Sequence, residues 1–172
     1  RGRALGAAWY LPEERQITTK EQMLDEMCAT LGGRAAEDLF LNRISTGAMN
    51  DLERVTKQAY GMIAYLGMSD KLPNLCYYNN EEYSFNRPYS EKTAELIDTE
   101  VKNMVNEQYE RAKKILSEHR EGHNQLAQLL IDKEVIFAED VERIFGKRPW
   151  ASRSEEIMAA KESQDAARAE RE

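Results

Sequence analysis

The sequence predicts a mostly α-helical bundle with a short β-strand near its N-terminus. Three observations predict it. Apolar residues recur at three- and four-residue intervals along several long segments. Threonine and serine stand where those segments begin, as helix-starting residues do. Only the first dozen residues read as extended. With 172 residues, the chain suits one domain with an appendage and can bury a real core.

The elements follow in order. "RALGAAWYLPEE" is apolar, carries Trp9 and Tyr10, and stops at Pro12, so it reads as the strand. In "ITTKEQ", Thr18 with Glu21 three residues later fits a capping box. A helical stripe follows at Met23, Leu24, Met27, Cys28 and Leu31. Gly32-Gly33 then interrupts it. Glycine in a helix costs roughly 1 kcal/mol against alanine, so the pair needs a reason. It has two readings: close packing of another backbone, or a neighbouring active site. "STGAMNDLERVTKQAYGMIAYLGMSDKLP" holds a second amphipathic helix, with Met49, Leu52, Val55, Ala59, Met62, Ile63 and Leu66 as its core stripe and Gly67 as its stop. "NLCYYNNEEYSFNRPYS" is an aromatic loop with room for a short hairpin. Ser90 caps a long helix to about His119, with Ile97, Val101, Met104, Val105, Tyr109, Ile115 and Leu116 inward. "NQLAQLLI" and "AEDVERIF" are short helices, the second ending at Gly146. Pro149-Trp150 closes the packed part, so residues 1–150 form the domain. Residues 151–172, rich in Ala, Glu, Arg and Ser, form a charged tail without a core of its own.

Composition narrows the function. A net charge of −7 argues against a broad nucleic-acid surface. Cys28 and Cys76, far apart, fit two free thiols better than a disulfide scaffold. No run reaches the ~18 apolar residues of a membrane span, and no signal peptide opens the chain. It starts abruptly at "RGRALG", which reads as a fragment or excised domain.

The only two histidines, His119 and His123, lie four apart in "SEHREGHN". That spacing can put two imidazoles on one helix face toward zinc. The context argues otherwise. A third ligand is missing, Arg120 stands where the general-base glutamate of H-E-x-x-H belongs, and Gly122 reads as a C-cap that would break the shared face. A histidine in a last helical turn also complements the helix dipole.

The second candidate is "STGAMNDLERVT", residues 45–56. Ser-Thr-Gly is loop chemistry, and Asn50 or Asp51 suits a helix start. Taken with "LGGRAAEDLF" before it and "GMSDKL" after it, this stretch resembles the peptidase domain of FtsH-type membrane-bound, ATP-dependent zinc metalloproteases. "RGRALGAAWYLPEE" resembles the segment that follows that family's H-E-x-x-H helix. The resemblance covers about residues 1–150, in order, and does not reach the tail.

It implies a helical peptidase-domain bundle in which Asp51 is the third zinc ligand, beside the two histidines of H-E-x-x-H, whose glutamate activates water. Asn50 and Thr46 would orient that ligand, with Gly47 beside them at the site or cleft, the Gly32-Gly33-Arg34 stretch would let helices approach near the metal, and Glu37 would support the site or form a surface salt bridge. The strand around Leu5 to Tyr10, with Leu5 and Ala7 as its cleft residues, would border the cleft and pair with an unfolded polypeptide by β-augmentation. The resemblance further implies a hexameric ring, ATP and magnesium on an ATPase module, protein quality control as the role, and an N-terminal membrane anchor on the cytoplasmic side of the inner membrane. This chain departs from the pattern in one respect that matters most. It contains no H-E-x-x-H, so by itself it is expected to be inactive, with Asp51 serving only as an N-cap. Pro73, where many relatives continue with Gly, is a smaller, local departure. The rival readings are a non-catalytic helical oligomerisation or interaction module, and an independent zinc protein using His119 and His123.

Overall fold

The computed structural model of the chain describes residues 7–9, 17–77, 88–148 and 158–161. It divides into two compact units, one of residues 18–125 and the other of residues 1–17 with 126–172.

The first unit is helical throughout its regular parts. Helix α1 is Lys20–Thr30, α2 Gly32–Leu41, α3 Met49–Ala64 and α4 Glu91–Glu118. A 3₁₀ turn, Thr46–Ala48, leads into α3. At ~1.5 Å per residue, α4 is ~42 Å long, and α1, α2 and α3 all pack on it. The core follows from the periodic apolar positions. Met27 and Leu31 meet Val55, Ala59 and Met62, flanked by Val101, Met104, Val105 and Tyr109 of α4. A second cluster joins Ile63, Ala64, Leu72 and Ile97, and a third joins Cys28, Ala35 and Ala112. Burying a large aliphatic side chain contributes about 1.5–3 kcal/mol, so these clusters decide the bundle.

Polar bridges fix the helix registers. Tyr109 donates to Asp38 at 2.8 Å, with Lys113 at 3.3 Å from the same oxygen. Arg111 pairs with Asp25 at 2.5 Å, and Arg54 pairs with Glu26. Glu100 accepts from Lys71 at 2.7 Å and from Ser69 at 2.9 Å, which ties the loop after α3 to α4. That loop requires Gly67. Its φ is +59°, and a Cβ there would lie 2.8 Å from the Asn74 nitrogen.

The second unit contains the end of α5, Arg120–Lys133, and α6, Ala138–Phe145. Asp140 is buried between them. It accepts from Lys133 at 3.2 Å, from Arg143 at 3.0 Å and from the Phe137 N–H at 3.2 Å.

Several expectations need correction. Among the described residues there is no strand, only an isolated antiparallel bridge between Met68 and Pro73. Of the predicted N-terminal strand, residues 7–9 are described, and they are exposed and not extended into a ladder. The rest lies outside the described residues, so the strand is not supported. Apolar composition alone does not supply the partner a ladder needs. The capping box is Thr19 with Gln22, one residue later than Thr18 with Glu21. Met49 and Leu66 are 69% and 54% exposed and are not core, because they sit at or beyond the ends of α3. Ile115, at 42% exposure, also misses the core. Gly122 lies inside α5, and His119 is the C-cap of α4. Among the described residues, an added Cβ at Gly32 or Gly33 would meet nothing within 4 Å, so close packing of another described backbone does not explain them. Pro149, Trp150 and most of the tail lie outside the described residues.

Other expectations hold. Ser90 caps α4, accepting from the Thr93 N–H at 3.3 Å. α6 ends at Gly146 with φ +84°. Both cysteines are free, and no described helix is long and apolar enough to cross a membrane.

Candidate functional site

The histidine pair does not form a site. α4 ends at His119 and α5 begins at Arg120, so His123 lies in the first turn of a different helix. Its ring stacks on Phe40 of α2, with centroids 4.2 Å apart and planes 7° off parallel. The Arg120 guanidinium sits 4.9 Å from the centre of the same Phe40 ring, a cation–π contact. His123 Nδ1 is buried without a hydrogen-bond partner. His123 is spent on seating α5 against α2, and His119 is the exposed C-cap of α4.

The Ser45–Asp51 stretch is built differently. α2 ends when Asn42 adopts the left-handed conformation, φ 49°, which asparagine tolerates. The chain turns back there. The Ser45 N–H donates to Glu37 at 3.0 Å, and the Ser45 hydroxyl donates to the other oxygen of the same carboxylate. Ser45 Oγ also accepts from the Gly47 N–H at 3.2 Å. The Ser45 hydroxyl and then its N–H hold the Glu37 carboxyl below the usual carboxylate range. Glu37 is therefore no surface salt bridge. It joins α2 to the turn that starts α3.

Asp51 is third in α3, whose N-cap is Ala48 with no side-chain cap bond. The expectation that Asp51 or Asn50 caps the helix is therefore corrected. The 3₁₀ turn runs straight into α3, and Ser45 has already capped the turn. An aspartate in a first turn is favoured by the helix dipole, and that alone accounts for its presence. What marks Asp51 is that its half-buried carboxylate makes no hydrogen bond or ion pair among the described residues. The cation one turn along the helix, Arg54, is engaged by Glu26 of α1. Thr46, Gly47 and Asn50 are exposed beside it, and neither the Thr46 nor the Asn50 side chain makes a hydrogen bond among the described residues. Gly33 is exposed on the first turn of α2. Ala7 belongs to the other unit, and Leu5 lies outside the described residues.

Ser45 was not among the residues singled out from the sequence. Its signal was available: a serine two residues before a glycine, ahead of a helix, forms a local hydroxyl–backbone turn.

No group of three His, Cys, Asp or Glu side chains among the described residues is placed to hold a metal ion. A zinc site normally takes three or four protein ligands. An uncommitted carboxylate at a helix start fits one of those positions, so Asp51 offers a donor and not a complete site.

Comparison with known proteins adds the context. The family model for peptidase family M41 matches residues 1–144. The chain is 70% identical over 164 residues to an ATP-dependent zinc metalloprotease FtsH of Parabacteroides distasonis, covering 94% of this chain and 24% of that protein. It is 46% identical over 149 residues to the mitochondrial ATP-dependent zinc metalloprotease FTSH 10 of Arabidopsis thaliana, covering 87% and 18%. It is 41% identical over 156 residues to the mitochondrial inner membrane m-AAA protease component AFG3L2 of Mus musculus, covering 90% and 20%. The chain thus spans about a quarter or less of the length of these relatives.

Proposed function

The chain belongs to peptidase family M41, and from that premise we propose that it is the C-terminal part of a zinc metalloendopeptidase domain, contributing Asp51 as one metal ligand. The observation that carries this is the Asp51 carboxylate in the first turn of α3, within the "STGAMND" stretch, with no hydrogen bond or ion pair among the described residues. The interaction-module reading has no comparable observation behind it.

In this account Asp51 binds a zinc ion whose two other ligands, histidines of an H-E-x-x-H helix, lie outside this chain. When bound, zinc supplies Lewis-acid polarisation of the scissile carbonyl and lowers the pKa of a bound water. The residues of this chain position. Glu37 and Ser45 hold the turn, and Thr46 and Asn50, whose side chains are exposed, are available to orient the carboxylate or the substrate. Gly33, with open space around it, leaves room for a neighbouring helix or chain.

The whole protein would be an ATP-driven protease of membrane and unfolded soluble polypeptides. It would be hexameric, with ATP and magnesium on a separate ATPase module. An N-terminal anchor would hold it at a membrane, with the peptidase facing the cytoplasm. The names of the relatives support the metalloprotease and ATP-dependent parts. The test is a protein in which an upstream H-E-x-x-H segment precedes this chain. It should degrade an unfolded protein, and Asp51→Ala should abolish that degradation. Full proteolysis by the Asp51→Ala protein would overturn the assignment.

A further inference from the structure

Resting on the reading of Asp51 as a metal ligand, we infer that Ser45 is a positioning residue for Asp51, acting through its hydroxyl and anchored by Glu37. The stretch between α2 and α3 has almost no packing to fix it. Of residues 42–50 only Ala48 is buried, and the apolar Leu41 and Ile44 are 62% and 61% exposed. A loop without buried side chains is ordinarily held at the low end of local stability. Here polar bonds replace packing.

The bonds form a continuous path. Both Ser45 donors, N–H and hydroxyl, end on the two oxygens of Glu37, a residue in the body of α2. The same hydroxyl oxygen receives the Gly47 N–H at 3.2 Å, inside the 3₁₀ turn. The Met49 N–H closes that turn on the Thr46 carbonyl, and α3 begins there. α3 has no side-chain cap of its own. The turn that leads into the first turn of α3, and so to Asp51, is thus tied to α2 through the Ser45 N–H and hydroxyl, the hydroxyl alone reaching on to Gly47. Ser45→Ala keeps the backbone bond to Glu37 but removes both bonds of the hydroxyl. Ser45 itself sits at φ −120°, ψ 177°, extended backbone that threonine adopts without strain.

The experiment uses the longer protein that carries this segment behind its H-E-x-x-H helix. Zinc affinity is measured by competition with a chelator, and the cobalt-substituted protein is followed by its visible spectrum. Ser45→Ala should weaken zinc binding about tenfold, the lower end of what indirect ligand partners contribute, and should alter the cobalt spectrum. Ser45→Thr, which restores the hydroxyl, should recover both. If Ser45→Ala fails to fold, Glu37→Gln carries the same test, because it leaves one acceptor for two Ser45 donors. It should weaken zinc binding several-fold. Wild-type affinity in the folded Ser45→Ala protein, or no recovery in Ser45→Thr, overturns the inference. Asp51→Ala is the control that separates the two claims. If it retains zinc fully, the reading of Asp51 fails. If it loses zinc while the Ser45 and Glu37 variants bind normally, only the positioning role fails.

Discussion

Glu37 ties its charge to the architecture of the site, and the consequence is a pH dependence. Its carboxyl is lowered by the Ser45 hydroxyl and N–H. Asp38 is lowered by the Tyr109 hydroxyl and then Lys113, and Glu100 by Lys71 and then Ser69. A carboxyl with a folded pKa below its unfolded value stabilises above the unfolded value, about 4.3 for glutamate. It loses that contribution as pH falls through the folded value. Acid titration of this chain, followed by circular dichroism, should therefore show a steep loss of helix below about pH 4. Glu37→Gln should be less stable than wild type at pH 7, with a shallower acid transition. A Glu37→Gln curve superimposable on wild type at every pH would mean the Ser45 contacts do not form in solution. At this scale the sequence was partly legible. Ser90 as a cap could be read because one serine precedes one clean apolar stripe. Thr18 and Thr19 could not be separated, because both have a Glu or Gln three residues on; the structure closes the box on Thr19 and Gln22. The Glu37–Ser45 contact was out of reach, since it spans a turn whose geometry hangs on the left-handed Asn42.

Among the elements, α3, α4 and α6 were legible because apolar period and end signals agreed. α5 was not. Gly122 signals a helix end, yet the break falls at His119, where the seating of His123 on Phe40 competes with the intrinsic preference of glycine. The two ends of α2 and α3 make opposite predictions for glycine. Gly33→Ala should stabilise the isolated chain by about 0.5–1 kcal/mol, since the position is helical and open. Gly67→Ala should destabilise it by at least about 1–2 kcal/mol from the left-handed backbone, with the contact against Asn74 added. Urea melts of the two variants check both signs. If Gly33→Ala stabilises the isolated chain yet weakens the longer protein's zinc binding, Gly33 serves the neighbourhood of the metal and not the fold.

Across the molecule, the bundle depends on α4 as the common packing surface. Ile97 on α4 is 1% exposed, and Ile97→Ala should cost about 2–5 kcal/mol in denaturant melts. The class of the fold was legible because most of the chain is helical and its stripes are long. The strand was not, because pairing is a property of two segments and composition describes one. The site was legible only as a donor. Asp51 could be named from the resemblance, but that Arg54, one turn along, is engaged by Glu26 is a fact of packing. His119 and His123 have a metal-like spacing, but their context in the sequence argues against a site, and His123 packs on Phe40 while His119 caps α4.

The most direct measurement is zinc content per chain in the longer protein, wild type against Asp51→Ala and against the double variant His119→Ala, His123→Ala. The account predicts about one zinc per chain in wild type and in the histidine double variant, and a loss of stoichiometric zinc in Asp51→Ala. Retained zinc in Asp51→Ala with zinc lost from the histidine variant would contradict it and move the metal to the pair in "SEHREGHN".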